Sequence, residues 1–405
     1  MFLFNRAALT LPVAGVFVVV MHWAVLCAQD TRPINVPSIP TADVGPIVNV
    51  EFKHKGGQLA SIGEVIVEAE DGGKLVLTPD GQLWTLQPED IIKCEACPQS
   101  MKPLTSDEIY TRFRQQIPEG FRVYKTAHYV LIYNTSETYA RWVGELFEKL
   151  YRGFHNYWKS NLELVEPQFP LVAVVFNSKE SYLAYAEREI GDTAKAMIGY
   201  YNMQTNRMIM FDMTGVEGLT RPGSRPNSTQ LIGQVLSQPQ AERTVATIVH
   251  EAVHQLSYNT GLQVRLADNP LWVSEGMATF FEAPDVNNSR GWSIGKMNYH
   301  NLRLFAGYLS HRPQDSLTTL ITDDSRFMNS ATASSAYAES WALTYYLMKA
   351  KGRREQYAGY LEELRQLKPL EELTPRDRVA IFKKHFGEDL IEFDKDFISF
   401  MRRIR

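Results

Sequence analysis

Ala241-Glu242-Arg243-Thr244-Val245-Ala246-Thr247-Ile248-Val249-His250-Glu251-Ala252-Val253-His254-Gln255-Leu256-Ser257-Tyr258 is the stretch on which the reading of this chain turns. Val245, Ile248, Val249, Ala252, Val253 and Leu256 recur at three- and four-residue steps, which predicts a mostly buried helix. Asn259-Thr260-Gly261 ends it, with Gly261 able to take the left-handed conformation after the last turn. His250 and His254 then fall one turn apart on one face. Two neutral imidazole nitrogens can so bind one zinc ion, with Glu251 beside them as general base for a water held there. A buried helix carrying two histidines and a glutamate is costly unless those groups are paired or bind metal. The opposing reading is a partly exposed helix with two surface histidines.

A second helix is expected over Asn269–Glu282, with Asn269 as N-cap and Pro270 at the first helical position. Glu275 stands there among apolar residues, where an unpaired carboxylate costs several kcal/mol, on the order of 3–5, so it calls for a cation. Gly276 allows another backbone to approach closely. Two histidines and one glutamate leave a fourth zinc position open, the catalytic rather than the structural pattern. Glu282 lies two turns beyond Glu275 on the same face. It can hold the second ring nitrogen of a ligand histidine, or be a solvated charge near a helix end.

HEAVH followed by Trp272-Val273-Ser274-Glu275-Gly276-Met277-Ala278-Thr279-Phe280-Phe281-Glu282 resembles the gluzincin metallopeptidases. That resemblance implies His250, His254 and Glu275 as zinc ligands and Glu251 as base, with Glu282 matching a glutamate of the related aminopeptidases. Their Gly-Ala-Met-Glu-Asn segment is absent, which points away from exopeptidase action. It also implies a tyrosine some sixty residues beyond the glutamate ligand to steady the oxyanion, and Tyr337 is the candidate; packing alone is the competing reading for it. More narrowly, Tyr200-Tyr201 to Asp212, HEAVH and Tyr337-Ala338-Glu339-Ser340-Trp341-Ala342-Leu343 resemble the bacterial domain of unknown function numbered 1570, over roughly residues 105–400.

Ile198–Asn202 and Arg207–Asp212 flank Met203-Gln204-Thr205-Asn206 and read as a hairpin. One of its strands at a sheet edge beside the zinc can pair with an extended peptide. Tyr200, Tyr201 and Met210 are the candidates to line that groove, the alternative being ordinary sheet residues. Strands are also expected at Phe121–Tyr124, Tyr129–Tyr133 and Leu171–Phe176, and helices at Ser136–Ser160, Arg376–Phe386 and Asp389–Ile404. Residues 214–239, rich in Gly, Pro, Ser and Gln, read as a loop bordering the cleft. The fold class expected is α+β: a zincin-like domain over 105–405, a mixed sheet with a helical C-terminal lobe.

Before it, Ile47–Lys53, Gly63–Glu68, Lys74–Thr78 and Gln82–Leu86 alternate apolar and polar residues between glycine turns. They suggest a small β-barrel-like domain over 47–98, SH3-like in strand spacing. Cys94 and Cys97 read as a local disulfide or two free thiols, since no other cysteine pair completes a metal site. Arg6 and the apolar run from Ala7 to Ala28 read as a signal peptide over 1–28, or as an uncleaved membrane tether, followed by a proline-rich linker over 29–46. Export to the periplasm, cell envelope or exterior follows.

The 405 residues are 44% hydrophobic and 22% charged, with a net charge of −4. That is an ordinary globular balance with no basic surface for nucleic acid, and no nucleotide loop or internal repeat is present. The expected function is an exported zinc endopeptidase acting on peptides or proteins. A non-catalytic envelope protein that keeps the zincin scaffold for binding or assembly is the alternative. The intact Glu251 argues against it, because a structural zinc site needs no base.

Overall fold

Period-two alternation builds the first unit. In Ile47–His54 (β1), Val48, Val50 and Phe52 are buried while Asn49 and Lys53 are exposed. Gly57–Glu68 (β2), Lys74–Leu77 (β3), Leu83–Leu86 (β4) and Ile91–Ala96 (β5) complete an antiparallel sheet of order β4-β3-β2-β1-β5. The structure, a computed structural model, describes residues 45–215, 228–236, 239–283 and 295–404. The expected barrel does not close, because β4 and β5 are the two ends of the sheet. One face gathers Val48, Val50, Phe52, Val65, Val76 and Leu86. A register shift between Val65 and Val67 turns Val67 to the opposite face, with Leu75, Leu77 and Leu83. That second face is covered by Phe169 of the following unit, not by closure of the sheet.

Cys94 lies on β5 opposite Val50, and Cys97 still donates its N–H to Ile47. Three extended residues separate their Cα atoms by about 10 Å, beyond the roughly 7 Å a disulfide spans. Of the two sequence alternatives the structure has the free thiols.

A capping box at Thr105, closed by Glu108, starts Ser106–Phe113 (α1). The second sheet has order β6-β7-β8-β10-β9, from Arg122–Lys125 (β6), Tyr129–Tyr133 (β7), Leu171–Phe176 (β8), Gly199–Asn202 (β9) and Arg207–Phe211 (β10). β7, β8 and β10 run parallel; β6 and β9 are antiparallel edges. Glu137–Trp158 (α2), capped by Ser136, connects β7 to β8, and Lys179–Ile190 (α3) follows β8. Within the expected loop 214–239, Thr229–Leu236 (α4) is helical instead, burying Ile232 and Leu236 one turn apart. Residues 216–227 and 237–238 lie outside the described residues, as do the expected signal or tether, 1–28, and most of the linker. Among the described residues no helix is long and apolar enough to cross a membrane.

Helices make up the rest: Pro239–Asn259 (α5), Leu271–Phe281 (α6), Tyr299–Tyr308 (α7), Ser316–Thr322 (α8), Ser325–Met328 (α9), Ala333–Lys349 (α10), Arg353–Leu364 (α11), Pro375–Phe386 (α12) and Leu390–Arg402 (α13). α6 is buried at every position and packs on α10 through Gly276. A Cβ there would stand 2.2 Å from Thr344 Oγ1 and 2.7 Å from the Ser340 carbonyl oxygen. The hydroxyl can swing aside, but the carbonyl belongs to the helix backbone. Gly276→Ala is therefore expected to destabilise the fold by about 2–3 kcal/mol. Urea unfolding measures this; an unchanged midpoint would show that the helices separate freely.

The two units meet at the β3–β4 turn. Thr78, Asp80 and Gln82 are buried there, with Asp80 between Arg112 at 3.4 Å and Arg207 at 3.9 Å. The Leu83 N–H donates to the Gln204 carbonyl at 2.8 Å, in the turn between β9 and β10.

Candidate metal centre

α5 is pinned to the second sheet by the residue after His254. Gln255 Nε2 donates to the carbonyls of Val172 at 3.0 Å and Asn206 at 3.1 Å. The helix ends as expected, with Gly261 at φ 70°. The connection to α6 is tied by Gln263 Nε2 donating to Ser274 Oγ at 2.7 Å and Asn269 Nδ2 donating to the Val264 carbonyl at 2.7 Å. α6 begins at Leu271, one residue later than the Asn269 and Pro270 pattern suggested. Asp324 takes the capping role by accepting the Leu271 N–H at 3.0 Å.

This architecture brings His250, His254 and Glu275 together, all three buried, with one ligand atom from each within 4.8 Å of the others. His250 Nε2 stands 3.1 Å from Glu275 Oε2, and His254 Nε2 stands 3.7 Å from Glu275 Oε1. Two donors on one four-coordinate ion, each about 2.0–2.2 Å away, stand roughly 3.3–3.6 Å apart, so these spacings suit a metal. His250 Nδ1 meets Glu282 Oε2 at 2.8 Å. The carboxylate accepts the Nδ1–H hydrogen bond, so Nε2, on the Glu275 side, is the nitrogen a metal would take in place of a proton. Among the described residues, His254 Nε2, Glu275 Oε1 and Glu251 Oε1 are buried without a hydrogen-bond partner. Buried polar atoms are expensive to leave bare, and a cation between His254 Nε2 and Glu275 Oε1 is what would satisfy those two.

The charges agree. Burial would raise the Glu275 carboxyl, but His254 and then His250 hold it well below the usual carboxylate range. Burial works against a charged His250 imidazole, yet its bonds to Glu275 and Glu282 raise it well above its ordinary value. Both directions favour positive charge between these side chains, where a proton would compete with a metal. Glu251 differs: burial pushes its carboxyl up, against the pull of His250, His254 and the Tyr201 N–H.

Glu251 is held by main chain. Its Oε2 accepts the Tyr201 N–H of edge strand β9 at 2.8 Å, which leaves Oε1 as the open atom. The side chains expected to line a groove are occupied elsewhere. Tyr200 donates to Glu189, Tyr201 donates to Asn206, and Met210 is fully buried on the inner strand β10. Tyr337 is half-buried in the second turn of α10, its ring edge-on to Phe327 at 5.4 Å.

Two participants carried no sequence signal. Asn298, at the N-cap of α7, donates to Glu282 Oε1 at 2.8 Å while its own oxygen accepts the Asn301 N–H. It fixes Glu282 behind His250 from a segment with no recognisable pattern. Tyr201 acts through its amide, which every residue except proline possesses.

The family described as "Protein of unknown function (DUF1570)" matches residues 244–371, so the chain contains a DUF1570 domain there. The match runs from the histidine helix through α11 and is narrower than the likeness over 105–400 expected from sequence. No curated protein matches the chain.

Proposed function

We propose that the chain is a zinc-dependent peptidase of gluzincin type, acting as an endopeptidase. The observation that carries this reading is the buried cluster of His250, His254 and Glu275, in which His254 Nε2 and Glu275 Oε1 have no hydrogen bond and Glu282 sets the His250 tautomer, with the buried Glu251 next to His250 in sequence and its Oε1 likewise unbonded. Three of these side chains are enough to hold the ion. The fourth, Glu251, is a carboxylate the ion does not require, fixed by one oxygen with the other free. That is the disposition a general base needs.

His250, His254 and Glu275 would hold zinc, which when bound supplies Lewis-acid polarisation of a water and of the scissile carbonyl. Glu251 receives the water proton at Oε1 and passes it to the leaving nitrogen. Its Oε2, bonded to the Tyr201 amide, keeps the carboxylate from rotating away. Tyr337 is assigned the hydroxyl that steadies the developing oxyanion. Because the side chains of Tyr200, Tyr201 and Met210 are taken up in the fold and the Tyr201 N–H belongs to Glu251, a peptide beside β9 would meet only the strand's remaining main-chain groups, which favours broad sequence tolerance. The apolar run from Ala7 to Ala28 supports a site of action outside the cytoplasm.

Metal content of the protein purified without chelator tests the reading, beside His254→Ala. About one zinc per chain, lost in the variant, is expected. No metal after zinc is added, or a different metal bound preferentially, overturns it.

A further inference from the structure

Arg265 sits in the α5–α6 connection, the segment that joins the helix carrying His250 and His254 to the helix carrying Glu275. Its Nη1 donates to the Gly81 carbonyl at 2.8 Å and to the Met203 carbonyl at 3.2 Å. One guanidinium thus ties three segments: the β3–β4 turn of the N-terminal sheet, the β9–β10 turn, and the connection between the ligand helices. The β9–β10 hairpin is the one whose Tyr201 amide holds Glu251.

The parts around Arg265 have little freedom to shift. Gly81 lies at φ 78°, and a Cβ there would stand 3.1 Å from the Phe169 ring and 3.3 Å from Asn206 Nδ2. Leu266, next to Arg265, is held at φ 60°, a conformation a leucine keeps only where its surroundings force it. Its carbonyl accepts the Leu370 N–H at 2.7 Å. Asn206 accepts the Tyr201 hydroxyl at 2.7 Å and exchanges two amide bonds with Asn259 at the end of α5. From the Gly81 carbonyl, Arg265 leads along its own segment to both ligand helices and, through the Met203 carbonyl, along the β9–β10 hairpin to the Tyr201 amide on Glu251.

We propose that Arg265 is a positioning residue of the metal centre, through which the N-terminal sheet sets the spacing of the two ligand helices and of the strand holding Glu251. This rests on the reading of His250, His254 and Glu275 as metal ligands. The N-terminal sheet is then part of the site's scaffold, not a separate binding module.

The test uses the full chain and Arg265→Met, which keeps the side-chain stem and removes the donors. Zinc affinity is measured by competition with a chromophoric chelator. Hydrogen exchange is followed across residues 199–204. The expected result is a roughly tenfold loss of zinc affinity in protein that is still folded, in the range seen when outer partners of a metal site are removed. Exchange at the Tyr201 amide is expected to be faster. Arg265→Lys, which keeps the charge but not the fork, should fall between and carries the test if Arg265→Met does not fold. A purely structural role lowers the unfolding midpoint but leaves zinc affinity of the folded protein unchanged. That result overturns the proposal alone. Absence of zinc binding by the unaltered chain overturns the reading of the site and this inference with it.

Discussion

Glu251→Gln is expected to keep its zinc and to lose peptide hydrolysis by about 10²–10⁴-fold, the usual contribution of a positioned general base. The substitution is nearly isosteric. The glutamine can present its carbonyl oxygen to the Tyr201 N–H, preserving the 2.8 Å bond that holds Glu251. Its amide nitrogen then occupies the place of Oε1, the oxygen that has no partner. That nitrogen donates and cannot accept a proton, so the change reaches the proposed chemistry and little else. The measurement is turnover of a peptide library by the zinc-loaded variant, with metal content determined on the same sample. Hydrolysis that persists with zinc bound would remove Glu251 from the mechanism. Zinc lost along with activity would mean that Glu251 serves the ion rather than the water.

A comparable effect on stability is expected at a buried charge cluster on the other side of the α6–α10 contact. Glu339, on α10, is fully buried and accepts from Arg312 Nε at 2.8 Å, Arg326 Nη2 at 2.7 Å and Ser316 Oγ at 2.7 Å. Arg312 also has Asp394, bonded at 2.6 Å and 2.7 Å; Arg326 is left with neutral oxygens of Ser316, Thr319 and Tyr308. Glu339→Ala therefore strands a guanidinium in a site with little water. Breaking a buried pair from one side typically costs about 3–5 kcal/mol, and we expect the loss to fall in that range. Chemical denaturation reads it directly. A change of less than about 1 kcal/mol would mean that water reaches Arg326 and that the cluster is effectively exposed. Because Glu339 precedes Ser340, whose carbonyl meets Gly276, this cluster also sets how α10 lies against α6.

Much of this architecture could be read directly from residue patterns. β7 and β8 stand where their β-branched and aromatic runs placed them, and the box that starts α1 closes between Thr105 and Glu108, three residues apart. His250 and His254 share one face of α5, and Glu275 and Glu282 one face of α6, because helical spacing is a local property; the Trp272–Glu282 motif then supplies the pairing of the two helices. Local pattern fails where partners are distant. The cap of α6 comes from Asp324, which no reading of Asn269-Pro270 contains. β5 escapes a period-two reading because its two half-buried residues, Ile91 and Cys94, are three apart across a register shift on β1. Strand spacing suggests a barrel but cannot say whether a sheet covers its second face by closing or, as here, by docking on Phe169. Asn298 and Arg265 act through contacts that only the assembled fold creates.

The contacts of Arg265 also bear on the order in which the protein assembles. His250 and Glu275 are 25 residues apart in sequence, whereas Arg265 and Gly81 are 184 apart. Loop-closure entropy makes the longer contact roughly 2 kcal/mol harder to close. The ligand cluster can therefore gather as a local event, while the junction with the N-terminal sheet waits on a long-range search. On a ribosome the sheet emerges first, and the Gly81 carbonyl and Leu83 amide stay solvated until the segments that bond them are synthesised.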